Sequence, residues 1–223
     1  GGGDSKYYIN LIIDEIIPYL DTAGISYVRV CSKNFQNTFN IKKCDLYLSL
    51  TSGSKCGLIN NNVNKENINT FYVEGNCESK RIAGIITNNM KKLCQNELNC
   101  ITAKMCPVSC NICKDIPSPL IHLGDHSTCH KSKWLRENIE NIALNVALSI
   151  FEFFAIPFCG IQKPKKCKCK CKAPVMSRPN LNSQIKTTIS ETNNIKILGQ
   201  WEDWYIVSYE NGNGYIQSKY IML

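Results

Sequence analysis

The chain is 223 residues long, with 26 Lys+Arg against 18 Asp+Glu, a net charge of +8 at neutral pH, and 14 cysteines. That length holds one medium domain and a small one. A composition of 43% hydrophobic and 20% charged residues is that of an ordinary folded, soluble protein.

The cysteines set the compartment. A chain of this size in a reducing cytosol seldom keeps so many thiols unless they bind metal. Three histidines are too few for several Cys/His zinc sites, and no paired CxxC motifs occur. Disulfides in an oxidising, extracytoplasmic setting are the expected state; the even count permits full pairing and fixes no connectivity. No signal peptide or membrane span is expected. The most apolar segment, residues 139–158, carries Glu140, Asn141, Asn145 and Glu152 and reads as an amphipathic helix. A missing signal does not place the chain in the cytoplasm.

In chain order, residues 8–22 have helical spacing, with Ile9, Ile12, Ile13, Ile16 and Leu20 on one broad face and Pro18 bending the last turn. Gly24 closes that helix, and residues 25–30 read as a strand. Residues 34–43 are a polar loop or weak helix. Strands are expected at 45–50 and 68–74, then a helix over 78–93 with Ile82, Ile85, Ile86 and Met90 inward. Residues 94–114 have no period and hold five cysteines. A short apolar strand at 119–123 precedes one long helix over 132–154. Alternating strands and helices argue for an α/β domain with a mostly parallel sheet and covering helices. Residues 161–174, rich in Lys and Cys, read as a linker. From 175 to 223, short β segments at 195–198, 204–209 and 214–216 surround a turn at Asn211-Gly-Asn-Gly214, the pattern of a small all-β barrel.

Several stretches invite a sharper reading. Cys106, Cys110 and Cys113 have the Cx3Cx2C spacing of radical-enzyme iron–sulfur sites, but that motif follows the first strand of a β/α barrel, which this chain is too short and differently patterned to make. A disulfide-stapled loop accounts for them together with Cys94 and Cys100. His122, His126, Cys129 and His130 are close enough in sequence to be weak candidates for a metal site. In Lys166–Lys172 an extended chain would turn Cys167, Cys169 and Cys171 one way and the lysines the other. Neighbouring lysines favour thiolate, and alternate cysteines on one strand cannot easily pair with each other, so these are candidates for disulfides to other segments or molecules. Six lysines between 163 and 172 supply much of the charge. Without interleaved aromatics or arginines they suit anionic wall polymers or acidic surfaces rather than nucleic acid. Trp201, Trp204 and Tyr205 could line a ligand groove of the barrel; the ordinary reading places Trp204 and Tyr205 in its core.

Several runs carry a resemblance. Tyr7-Tyr-Ile-Asn-Leu-Ile-Ile-Asp-Glu-Ile-Ile-Pro-Tyr-Leu20, the run from Trp134 to Ala143, and Phe153-Phe-Ala-Ile-Pro-Phe158 resemble clostridial zinc-dependent N-acetylmuramoyl-L-alanine amidases of the third family across residues 5–158. Trp204-Tyr205 and the run from Asn213 to Ile221 resemble a bacterial SH3 (SH3b) domain. The resemblance implies a degenerate amidase-like domain at 1–160, the linker at 161–174 and an SH3b domain at 175–223. It also implies a first strand that would precede residue 1, replaceable by a local segment such as 99–104 or by a neighbouring chain. The family's glutamate ligand falls at Lys6, its histidine ligand after the Leu-x-Leu strand at Thr51, and its catalytic glutamate at His122; His126 alone keeps its type. Zinc hydrolysis needs three protein ligands around an acidified water and a carboxylate to move its proton. Three replacements imply a lost centre, with no metal and no cofactor. The resulting expectation is a protein that is not an enzyme: a structural component of the cell envelope or spore surface, self-assembling into a disulfide-linked polymer or filament. A peptidoglycan-binding module and an active amidase are the alternatives.

Overall fold

The computed structural model describes residues 5–30, 44–53, 67–94, 100–105, 115–125, 129–191 and 194–223. It divides into two compact units, one of Gly1–Ile16 with Arg29–Phe153, the other of Ile17–Val28 with Phe154–Leu223.

The described elements begin with helix α1 (Ser5–Thr22), which buries Ile12, Ile16 and Leu20 as expected and Tyr8 besides, while Ile9 and Ile13 are only half-buried. Residues 25–30, expected as a strand, join no sheet, and Tyr27 and Val28 are exposed. The first unit then builds a sheet from β1 (Ser49–Thr51), β2 (Ile68–Val73), β3 (Cys100–Met105) and β4 (Leu120–His122), in the order β1-β4-β2-β3. Its β1/β4 and β2/β3 pairs are parallel, whereas β2 and β4 run antiparallel. The sheet is therefore mixed rather than mostly parallel. The segment considered as a local replacement strand enters it at the edge as β3.

Helix α2 (Cys77–Met90) starts where the Asn76 side chain accepts a hydrogen bond from Ser79 N at 2.8 Å, an N-cap that satisfies an otherwise orphaned donor. Its Ile82, Ala83, Ile86 and Met90 are fully buried. The single helix expected over 132–154 is instead two, α3 (Cys129–Glu137) and α4 (Ile139–Phe154). Asn138 separates them. Its side-chain amide donates to Trp134 O at 2.8 Å and its backbone N to Leu135 O at 3.2 Å, so a local bond displaces the regular helical one. Beyond the break Ile142, Ala143, Val146 and Ala147 are completely buried; each large aliphatic side chain contributes about 1.5–3 kcal/mol by leaving water. Asn89 on α2 donates to Ser149 Oγ at 3.0 Å and to Glu152 Oε2 at 3.2 Å, joining α2 to α4.

The second unit is a seven-stranded, wholly antiparallel sheet in the order β11-β5-β8-β9-β10-β6-β7. Its strands are β5 (Lys165–Cys169), β6 (Ala173–Met176), β7 (Ile185–Ile189), β8 (Ile195–Trp201), β9 (Trp204–Tyr209), β10 (Gly212–Gln217) and β11 (Ile221–Met222). Much of the expected linker is thus a sheet strand. The hairpin predicted around Asn211–Gly214 turns earlier, at Glu210-Asn211, with Tyr209 opposite Gly212 and β10 carrying the glycines. One face gathers Cys167, Cys169, Val175, Ile195, Ile197, Val207 and Ile216, and the other Met176, Trp204, Ile206 and Tyr215. Trp204 and Tyr205, neighbours in sequence, pack into different clusters, as strand alternation requires. Residues 17–28 belong to this unit: Asn213 Nδ2 donates to Gly24 O at 2.8 Å, and Gln162 N donates to Thr22 Oγ1 at 3.2 Å.

Candidate functional site

The C-terminal ends of β1 and β4 bring together two of the positions singled out in the sequence. Parallel pairing sets Ser49 opposite Leu120, Leu50 opposite Ile121 and Thr51 opposite His122. The pairing continues into both following loops, Leu123 N donating to Thr51 O and Gly53 N to Gly124 O, each at 2.9 Å. Gly53 and Gly124 have φ of 99° and 85°, a conformation that favours residues without a Cβ and lets both loops leave together. On its other side β4 sets His122 opposite Asn69 of β2. Register partners share a sheet face, so Thr51, His122 and Asn69 form a polar row across three strands. His122 and Asn69 are completely buried, and Thr51 is half-buried. The Asn69 amide donates to Asn67 O at 2.9 Å. Beside the row the Ser52 hydroxyl is buried with no hydrogen-bond partner among the described residues.

This is where an α/β sheet usually mounts its chemistry, at the carboxyl ends of strands. The row offers an imidazole, a hydroxyl and an amide, groups that donate to and accept from peptide bonds. It does not make a zinc set. Among the described positions the amidase resemblance assigns, Lys6 is an exposed cation on α1, Thr51 is a poor ligand beside imidazole, and His122 alone supplies an imidazole nitrogen. No group of three or more His, Cys, Asp or Glu suited to a metal occurs among the described residues. His126 lies outside them, and Cys129 and His130 are described only as the start of α3.

The cysteine candidates separate. Cys106, Cys110 and Cys113 lie outside the described residues. Cys94 and Cys100 flank the 95–99 connection, Cys94 half-buried and Cys100 buried. In β5 the side chains alternate as expected, but Cys167 and Cys169 point into the sheet unit's core, 8% and 1% exposed. They are poorly placed to reach another molecule. Cys171, just past the strand, is exposed. Asn69, the third member of the polar row, was not a sequence candidate; its only local signal is a polar residue inside the apolar run Ile68–Val73.

No family model matches the chain, and no curated protein matches it in sequence. Several solved structures are similar. N-acetylmuramoyl-L-alanine amidase AmiC2 of Nostoc punctiforme has a TM-score of 0.49 and 16% identity over 68% of this chain and 84% of that one. The CwlD amidase of Clostridioides difficile, in complex with the GerS lipoprotein, has a TM-score of 0.47 and 15% identity over 67% and 86%. The catalytic domain of CwlV, an N-acetylmuramoyl-L-alanine amidase from Bacillus (Paenibacillus) polymyxa var. colistinus, has a TM-score of 0.49 and 13% identity over 70% and 92%. The expectation that this chain is not an enzyme does not stand. Three substituted positions are too narrow a basis for a lost activity when His126 lies outside the described residues.

Proposed function

We propose that the protein acts on bacterial peptidoglycan outside the cytoplasmic membrane. One observation carries this reading: Thr51 and His122, the positions that the sequence resemblance assigns to an amidase centre, are register partners at the carboxyl ends of adjacent parallel strands. In this reading Thr51, the half-buried member of the row, meets a muramyl peptide, and the buried His122 and Asn69 support it from behind. The seven-stranded sheet, SH3b-like in its Trp204-Tyr205 and Asn213–Ile221 runs, holds the protein to the wall. Lys166 and Lys168 project from the outer face of β5, and Lys166 stands opposite Lys196 of β8. These three lysines have no ion pair among the described residues. Like charges set opposite each other cost stability unless an anion answers them, and phosphate-bearing or carboxylate-bearing wall polymers would do so. No described helix is long and apolar enough to cross a membrane.

Purified protein mixed with bacterial sacculi tests the reading. It is expected to sediment with them saturably, and Thr51→Arg to sediment less. Newly released α-amino groups in the same mixture would report cleavage of the amide that joins the stem peptide to the sugar. Protein that stays in the supernatant and releases no amines overturns the reading. Joining of copies through disulfides belongs to the same proposal and now rests on Cys171. Non-reducing gels are expected to show multimers that collapse with reductant and are missing from Cys171→Ser. A lone monomer band removes that part.

A further inference from the structure

A pair of thiols meets where α2 gives way to β3. The helix ends in a turn in which Leu93 N donates to Met90 O at 3.0 Å and Cys94 N to Lys91 O at 3.2 Å. After residues 95–99 the chain re-enters the structure at Cys100, the first residue of edge strand β3, set opposite Ile68. The Thr102 hydroxyl donates to the Thr87 hydroxyl at 2.6 Å, fastening β3 against the helix it came from. That return sets Cys100, buried at the start of β3, beside Cys94, half-buried at the end of α2, so that each thiol acts on the other's ionisation.

The two sulfurs differ. A hydrogen bond with Cys100 holds the Cys94 thiol below its ordinary value, against a smaller opposing effect of burial. Cys100 is pushed up, first by that same hydrogen bond and then by burial, while Lys91 draws it part of the way back. Cys94 is also the half-buried member, and Cys100 is buried. A lowered, reachable thiol attacks; a buried neighbour beside it resolves.

We propose that Cys94 and Cys100 form an intramolecular disulfide that staples the C-terminal end of α2 to the edge strand of the sheet. The oxidant is a disulfide of the surroundings, R–S–S–R. The Cys94 thiolate attacks one of its sulfurs, the S–S bond breaks, and the first R–S⁻ leaves. Cys100, once deprotonated, attacks the Cys94 sulfur of the mixed disulfide and expels the second R–S⁻. Two cysteine thiols are oxidised, the oxidant is reduced to two thiols, and the two protons lost from the cysteines end on the leaving groups. The staple fastens the outermost strand of the sheet among the described residues, the kind of place where a sheet is most open to fraying or to a foreign strand. It does not depend on what the protein acts on.

Trypsin isolates the pair: cleavage after Lys92 and Lys104 releases residues 93–104, whose only cysteines are Cys94 and Cys100. The folded protein is equilibrated with oxidised glutathione, alkylated in denaturant without reduction, and digested. Peptide 93–104 is expected unalkylated and two hydrogens lighter than the dithiol, and to gain two alkyl groups once reduced first. Two alkyl groups on the unreduced peptide, or its linkage to another peptide, overturns the proposal. In Cys100→Ser, glutathione is expected to remain on Cys94, and in Cys94→Ser the Cys100 thiol is expected to stay free. Glutathione retained on Cys100 and absent from Cys94 reverses the assigned roles and overturns the attack sequence. The wild-type peptide mass decides the staple even where a variant folds poorly.

Discussion

At the level of single residues, the tightest packing is at glycines of the second unit. A Cβ on Gly214 would run into Val175 Cγ1 and lie 3.0 Å from Met176 O, within a face that has no slack. Gly214→Ala is therefore expected to lower stability by about 1–3 kcal/mol. Gly84, inside α2, faces no atom within 4 Å. There the same change should raise stability by roughly 0.5–1 kcal/mol, because alanine restricts the unfolded chain and favours helix. Urea midpoints of the two variants against wild type check both, and equal effects would refute the packing argument. Two buried acids also tie the unit to alkaline pH. Burial pushes the Cys167 thiol from an ordinary 9.0 up to about 11, with the neighbouring Cys169 adding to the rise. Burial likewise raises Tyr215 from 10.0 to about 12, against the pull of Arg178. Both folded values lie above the unfolded ones, so the folded chain keeps protons that the unfolded chain releases. That contribution is whole below pH 9 and is lost as pH rises toward 11 for Cys167 and toward 12 for Tyr215. Under reducing conditions the urea midpoint should drop between pH 8 and pH 10.5, and Cys167→Val should flatten the drop. An unchanged slope in the variant would remove Cys167 as its source.

At the level of elements, caps and breaks govern the first unit. Asn76→Ala removes the bond to Ser79 N and should cost about 1 kcal/mol, while Asn76→Asp should retain most of the stability. Thermal unfolding of both variants tests whether the cap is what matters: equal losses would say that it is not. The inward face of α2 was legible in its sequence, since it depends on residues within a turn of each other. The break at Asn138 was not. The apolar stripe continues across it from Leu135 to Ile142, and hydrophobic spacing carries no sign of an amide that bonds back to Trp134 O. Likewise the alternation in β5 was legible, but not which face of the sheet would be inside. Three lysines around two cysteines read as a solvated strip; the sheet instead buries the cysteines against Ile195, Val207 and Ile216 and leaves the lysines outside.

At the level of the whole molecule, the excess of basic residues is concentrated where it can act. Lys166, Lys168 and Lys196 lie on one outer surface, so attachment to anionic wall polymer should weaken steeply with salt. Replacing all three with glutamate should abolish most of the salt-dependent part of sacculus binding. Sedimentation at low and high ionic strength measures this, and a salt-insensitive wild type would argue against the basic face as the contact. The sequence by itself determined the class of most elements and the inward faces of the helices, because short-range spacing fixes these. Only the tertiary structure decided that β2 and β4 run antiparallel, that Thr51, His122 and Asn69 stand in one row, and that the chain returns through Cys100 as a strand beside the helix ending near Cys94. Each of those depends on which distant segments pair and in what register, and the free energy that selects a register comes from the buried face of the whole sheet rather than from any one strand.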